Sequence, residues 1–203
     1  MLADAVHEAL PQDECEYFGA ADTVIPSSEL LYIGFWTDKG TCEESLKSFL
    51  GALHGKRVEL FGTAGFGKDS SYYEKILEAV KASGVKRFLV VGGAGSLFVK
   101  PGLRLVDAGT LPEAWLPGVK SLSKFFLETL TAEQELDWVF FSPAANLGNL
   151  QKGVRTGKFR LGKDDLIVDE KGDSFISVED YAMAMVDELE QENHHRERFT
   201  IGY

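Results

Sequence analysis

Apolar residues recur along this chain in two rhythms: short continuous runs, and longer stretches with an apolar residue every three or four positions. Leu2, Val6, Ala9 and Leu10 share one helical face and Pro11 stops them, which predicts a helix over Leu2 to Leu10. Cys15 to Gly19 reads as a short strand. Leu30 to Trp36 is a near-continuous apolar run closed by Thr37-Asp38-Lys39-Gly40, as in a strand buried on both faces of a parallel sheet. Thr41-Cys42-Glu43-Glu44 has the composition of a capped helix start, with helix running to about Leu53. The unit then repeats: strand from Arg57 to Phe61, Gly-rich loop from Gly62 to Asp69, and helix from Ser70 to Ala82 with Tyr73, Ile76, Leu77 and Val80 on one face.

Phe88 to Val91 predicts the next strand, followed by Gly92-Gly93-Ala94-Gly95. Beyond a stretch punctuated by Pro and Gly, Val119 to Thr131 predicts helix and Trp138 to Phe141 strand, closed by Ser142-Pro143. Asn146 to Ser174, rich in Gly and charge, reads as irregular or short β, in the manner of a lid or substrate-side insertion. A helix over Val178 to Gln191 and a strand over Phe199 to Ile201 complete the series. Strands alternating with helices of about 10–15 residues predict an α/β fold: a three-layer α/β/α, doubly wound, mostly parallel sheet. Such sheets bind ligands at the carboxyl ends of their strands, here Trp36 to Thr41, Gly62 to Lys68, Gly92 to Ser96 and Ser142 to Asn146.

Composition narrows this picture. The chain has 203 residues, no Ser- or Pro-rich linker and no repeat at a solenoid period, so a single domain over 1–203 is expected. No apolar run approaches the roughly 18 residues of a membrane span. The first residues lack a basic segment followed by an apolar one, and Cys15 and Cys42 are too few for a disulfide framework, which together point to the cytoplasm. A net charge of -11 argues against nucleic acid and anionic membrane as partners, both of which require a basic surface. A small anionic cofactor remains compatible, since backbone N–H groups at a helix start grip phosphate whatever the global charge.

Two resemblances follow from particular motifs. Residues 2 to about 80 resemble a small flavodoxin-like group through Gly34-Phe35-Trp36-Thr37-Asp38-Lys39-Gly40-Thr41-Cys42 and Leu60-Phe61-Gly62-Thr63-Ala64-Gly65-Phe66-Gly67. In flavodoxins those loops flank the flavin ring. From about Gly84 to Tyr203 the chain resembles the carboxyl half of NmrA-like atypical short-chain dehydrogenases, related to NAD(P)H-dependent flavin reductases. The motifs are Val90-Val91-Gly92-Gly93-Ala94-Gly95-Ser96-Leu97, Trp138 to Ala145, Arg155 to Gly162, Ile176 to Ala182, and Phe199 to Tyr203. Measured against each family, the first strand and its phosphate loop are missing, and the seam falls in the shared helix Ser71 to Ser83. The resemblances imply a chimera or a truncated natural fusion, with a flavodoxin-like part over 1–82 and an NAD(P)-binding Rossmann-like part over 83–203.

The implied cofactor-binding residues are Trp36, Thr37, Asp38, Gly40, Thr63, Ala64, Gly65, Phe66 and Gly67 on the flavodoxin-like side, and Gly92, Gly93, Ala94, Ser96, Ser142 and Pro143 on the other. Trp36 stacks on a flavin ring or serves the core. Gly92 to Gly95 lets the backbone approach a flat ring, or is simply a tight turn. Gly65-Phe66-Gly67-Lys68-Asp69-Ser70 lacks the third Gly of a dinucleotide fingerprint, and no acidic residue closes the strand at Val91, so a Gly-lined turn with Ser70 as N-cap is the stronger reading.

His194-His195 read as a solvated helix end rather than a metal site, and Cys42, with no His or second Cys beside it, as a structural or incidental thiol. Tyr181 and Lys158 do not form the Tyr-x-x-x-Lys pair of typical short-chain enzymes, so no catalytic residue is assigned.

The expected function is a flavodoxin-like/Rossmann-like hybrid with a residual FMN or nucleotide site and little or no catalysis. The alternatives are a working NAD(P)H-dependent flavin reductase, with FMN and NAD(P) as cofactors, and a non-catalytic fold chimera or scaffold. Without the flavodoxin first strand, Cys15 to Gly19 either pairs directly with Leu30 to Trp36 or leaves an edge that a homodimer covers.

Overall fold

The computed structural model describes residues 2–13, 15, 19, 27, 30–37, 48–49, 52–53, 57–64, 71–148 and 154–203. Helix α1 spans Leu2–Ala9 and ends ahead of Pro11. Strand β1, Leu30–Thr37, runs parallel to β2, Arg57–Ala64, in register from Leu30↔Arg57 to Thr37↔Ala64. The Gly-rich loop read from Gly62 onward therefore starts later: Gly62, Thr63 and Ala64 continue the ladder, because their backbone groups have partners in β1. Most of the helix expected over Thr41 to Leu53, residues 16–18 of the expected first strand, and Gly65 to Ser70 lie outside the described residues.

Helix α2, Ser71–Ser83, ends where Gly84 adopts φ +78°. That left-handed conformation is nearly strain-free only without a side chain, so Gly84 terminates the helix just before β3, Arg87–Val91. A turn of 3-10 helix over Ala94–Ser96 leads to a hairpin of β4, Phe98–Lys100, and β5, Leu103–Arg104. Helix α3, Leu116–Lys124, starts earlier than the apolar spacing indicates and passes into a π-helical segment, Phe125–Thr129, and a 3-10 turn, Leu130–Ala132. The wider π turn directs Phe125 and Phe126 together into the sheet.

The chain continues through β6, Asp137–Ser142; β7, Asn146–Leu147; β8, Arg160–Gly162; and β9, Phe175–Ile176. Helix α4, Val178–Gln191, is capped by Ser177, whose side chain accepts from the Asp180 amide, and is followed by β10, Glu197–Gly202. The main sheet has the order β3-β6-β10-β8, its first three strands parallel and β8 antiparallel, and β2 lies alongside β3.

Alternation along β3, β6 and β10 divides the interior in two. On one face Phe88, Trp138 and Phe140 meet α2 and the π segment. On the other Leu89, Val139, Phe141, Phe199 and Ile201 meet α1 and α4. The second core is centred on a stack of rings. Phe141 lies between Tyr181, at 4.2 Å, and Phe199, at 4.1 Å, and His194 continues the stack on Phe199 at 4.2 Å. Leu31 and Ile33 enter the first core and Ala5 and Val6 the second, so each core combines residues from before and after position 83.

Candidate functional site

At the carboxyl end of β3 the chain turns through Gly92 and Gly93 into Ala94–Ser96, beneath α3. A cavity of about 140 Å³ opens there, walled by Tyr73, Gly93 to Ser96, Gly118, Val119, Leu122, Ser123 and Phe140. Each aromatic wall is braced from behind: Tyr73 stacks on Phe125 at 5.4 Å and Phe140 on Phe126 at 4.4 Å. Among the described lining residues none carries a formal charge, so the cavity suits a flat, largely apolar group.

The glycines here are required by the protein's own packing. A β-carbon on Gly92 would meet the Phe140 ring at 2.5 Å, and one on Gly95 would meet Val119 Cγ1 at 2.2 Å and Ser123 Oγ at 2.9 Å. The flat ring that Gly92 approaches is therefore Phe140, while Gly93, Ala94, Gly95 and Ser96 supply the cavity wall.

The other sequence-derived candidates fall in different places. Trp36 and Thr37 end β1, and Thr63 and Ala64 end β2, all at carboxyl ends of parallel strands. Asp38, Gly40, Gly65, Phe66 and Gly67 lie outside the described residues. Ser142 ends β6 and is fully buried, its hydroxyl without a hydrogen-bond partner, and Pro143 beside it is also buried. Neither Ser142 nor Pro143 lines the cavity. Tyr73, Val119, Leu122, Ser123 and Phe140 do line it, yet nothing marks them locally beyond helical or strand periodicity, since their convergence is tertiary.

Ser96 is held by two arginines. Arg198 Nη1 donates to its Oγ at 2.8 Å, and Arg104 Nε donates to its carbonyl at 3.2 Å. Burial pushes the pKa of Arg198 below the ordinary arginine value, while the carboxylate of Asp164 acts in the opposite direction and leaves a net lowering.

Two further polar clusters lie elsewhere. Asp180, fully buried, accepts from the amides of Thr156 and Gly157, from Thr156 Oγ1 at 2.5 Å and from Tyr203 Oη at 2.6 Å. Burial alone would raise its pKa, but these donors together hold the carboxyl below the ordinary range. Through Asp180 the Arg155 to Lys158 loop is tied to the start of α4 and to Tyr203.

At the amino ends of β3 and β6, Arg87 pairs with Asp137 and with Glu188, each at 2.6 Å. His194 bonds Glu188 at 2.6 Å and His195 bonds Asp137 at 2.9 Å. The expected helix end is refined: α4 stops at Gln191, His195 is exposed as expected, and both histidines, past the end of the helix, bond carboxylates. Among the described residues, no group of three or more His, Cys, Asp or Glu is arranged to hold a metal ion. No described helix is long and apolar enough to cross a membrane.

Comparison with known proteins places this geometry in context. The flavodoxin domain profile matches residues 1–93. A solved structure from Bacteroides thetaiotaomicron, provisionally assigned as an epimerase, is 52% identical with a TM-score of 0.71, over 79% of this chain and 72% of that one. Another, from Streptococcus pneumoniae TIGR4 and provisionally assigned as an NADH-flavin reductase, is 33% identical with a TM-score of 0.64, over 75% of this chain and 74% of that one. The uncharacterized protein YwnB of Bacillus subtilis (strain 168) is 41% identical over 149 residues, 71% of this chain and 68% of that protein. On that identity and coverage, the chain belongs to the same protein family as YwnB.

Proposed function

We propose that the chain is a flavin- and nicotinamide-nucleotide-binding redox domain, an NAD(P)H-dependent flavin reductase whose ring site is the cavity under α3. The observation that carries this reading is the cavity's make-up: glycine backbone and Ser96 on one side, Tyr73 and Phe140 on the other, at the carboxyl end of a parallel strand. Its volume of about 140 Å³ is below the roughly 300–1,000 Å³ of pockets that enclose whole ligands. One ring enters, and the rest of the cofactor is assigned to the carboxyl ends of β1 and β2 at Trp36, Thr37, Thr63 and Ala64, with Asp38, Gly40, Gly65, Phe66 and Gly67 as candidates from the sequence alone and Gly92, Ser142 and Pro143 as candidates beyond the ring. The likeness to the Streptococcus pneumoniae protein and the flavodoxin match over residues 1–93 support the same reading.

The shared cores support one domain over 1–203, a hybrid of a flavodoxin-like part, 1–82, and a Rossmann-like part, 83–203. A homodimer covering the side of β1 that no described strand pairs completes the reading.

Epimerisation is the second reading, favoured by the 52% identity to the Bacteroides protein. Direct proton abstraction needs a positioned base, and the described lining residues include no carboxylate, histidine or lysine. The geometry therefore supports ring binding and hydride transfer better. Steady oxidation of NADPH with FMN added is the test. Oxidation that depends on FMN is expected. Ligand binding without oxidation would reduce the function to a residual ring site, and no ligand-induced rise in melting temperature would leave only a scaffold.

A further inference from the structure

Ser96 is 1% exposed and lines the cavity, and its hydroxyl faces a cation that constrains its chemistry. A guanidinium has donors only, so against Arg198 Nη1 the Ser96 oxygen is the acceptor and its own proton points elsewhere. Among the described residues no group accepts that proton in a hydrogen bond. Arg198 is itself fixed. Its side chain is 3% exposed, its guanidinium lies 4.6 Å from the Phe126 ring centroid, and its Nε and Nη2 both donate to Asp164 Oδ1, at 3.2 and 2.5 Å. Phe126 in turn stacks on the cavity wall Phe140. The arrangement is a chain of contacts from Asp164 through Arg198 to the cavity.

A second observation comes from the same face of the sheet. Thr200, two residues beyond Arg198 on β10, is the register partner of Ser142 on β6. Both side chains are completely buried, and both hydroxyls lack a partner. Buried hydroxyls without partners are costly, at about 1–3 kcal/mol each, and neither of these two lines the cavity.

We propose that Arg198 is a positioning residue that fixes the Ser96 hydroxyl as a donor to an acceptor oxygen on the ring in the cavity. This rests on the functional reading above and deepens it: the occupant is a planar ring bearing an amide or carbonyl oxygen. A flavin ring and a nicotinamide ring share that chemistry.

The test measures equilibrium affinities for NADPH and FMN in the wild type and in Ser96→Ala, Arg198→Met, Arg198→Lys and Ser96→Ala/Arg198→Met. Two ringless probes, 2′-phospho-ADP-ribose and ribitol 5-phosphate, accompany them. The affinity for the ring that enters the cavity is expected to fall about tenfold in Ser96→Ala and in Arg198→Met. The double variant is expected to fall no further, because both changes remove one interaction. Arg198→Lys should retain part of the affinity, and the ringless probes should bind unchanged. Whichever of NADPH and FMN responds identifies the ring.

Additive losses, or parallel losses for the ringless probes, would overturn the proposal and leave Arg198 a structural residue. Wild-type binding that Ser96→Ala leaves unchanged would overturn the proposal alone. Failure of the wild type to bind either NADPH or FMN would overturn the functional reading, and the proposal with it. If Arg198→Met does not fold, Ser96→Ala and Arg198→Lys decide: the first must lose affinity and the second must lie between it and the wild type.

Discussion

Gly95 lies so close to Val119 that a β-carbon on the glycine would come within 2.2 Å of Val119 Cγ1. The seating of α3 over the Ala94–Ser96 turn, and so the depth of the cavity, depends on that missing atom. Gly95→Ala is expected to lower unfolding stability by about 1–3 kcal/mol, the usual range for overpacking. Combining it with Val119→Ala should restore part of the loss, because the clash is with that side chain. Chemical denaturation of the two single variants and the double variant checks this, and strict additivity would show the contact to be unimportant.

Asp180 gives a prediction for pH. Its folded-state pKa lies below the unfolded value of 3.8, so the folded state binds this proton less tightly than the unfolded chain does. Its stabilisation is fully present above 3.8 and is lost as pH falls through the lower folded value. Asp180→Asn is expected to flatten that acid limb. It should also cost about 1–3 kcal/mol at neutral pH, since buried donors lose a charged acceptor. Thermal unfolding across acid pH measures both effects.

Tyr203 acts at the opposite end of the scale. Burial and its bond to Asp180 raise its pKa above 10.0, so its contribution is present below 10.0 and is lost as pH rises through the higher folded value. Tyr203→Phe should weaken the alkaline loss of stability, read from unfolding curves above neutral pH.

Arg87 and Glu188 form a buried pair at the amino ends of the strands, with side chains 8% and 2% exposed. Removing one partner leaves an uncompensated charge, so Arg87→Met is expected to cost about 3–5 kcal/mol. Because the cavity is at the opposite ends of these strands, the affinity of the folded variant for FMN and NADPH should stay at the wild-type value. A loss of affinity in the folded variant would show that the network acts on the site.

Much of the fold was legible in the sequence. The helix expected over Val178 to Gln191 is observed with those bounds. Leu30 to Trp36 announced a buried parallel strand, and β1 runs one residue beyond it. The hairpin of β4 and β5 was not legible. Its strands have three and two residues, Val99 and Lys100 are exposed, and Pro101-Gly102 reads as punctuation.

The cavity was half legible. Gly92 to Ser96 stood out as a backbone that something approaches closely, but their nearest neighbours, Phe140 and Val119, come from segments whose own periodicity indicates only core. The bond between Arg198 and Ser96 joins residues 102 positions apart, and no local pattern encodes it.

The central claim is that a redox ring occupies the cavity under α3. Titrating FMN and NADPH into protein with labelled methyl groups, followed by NMR, tests it most directly. Val119 and Leu122 line the cavity, whereas Val139 and Ile201 lie in the core on the opposite face of the sheet. The account predicts that ring-current shifts appear at Val119 and Leu122 with the ligand whose ring enters the cavity, and leave Val139 and Ile201 in place. Saturable binding with Val119 and Leu122 unmoved, or no binding of either ligand, would contradict it.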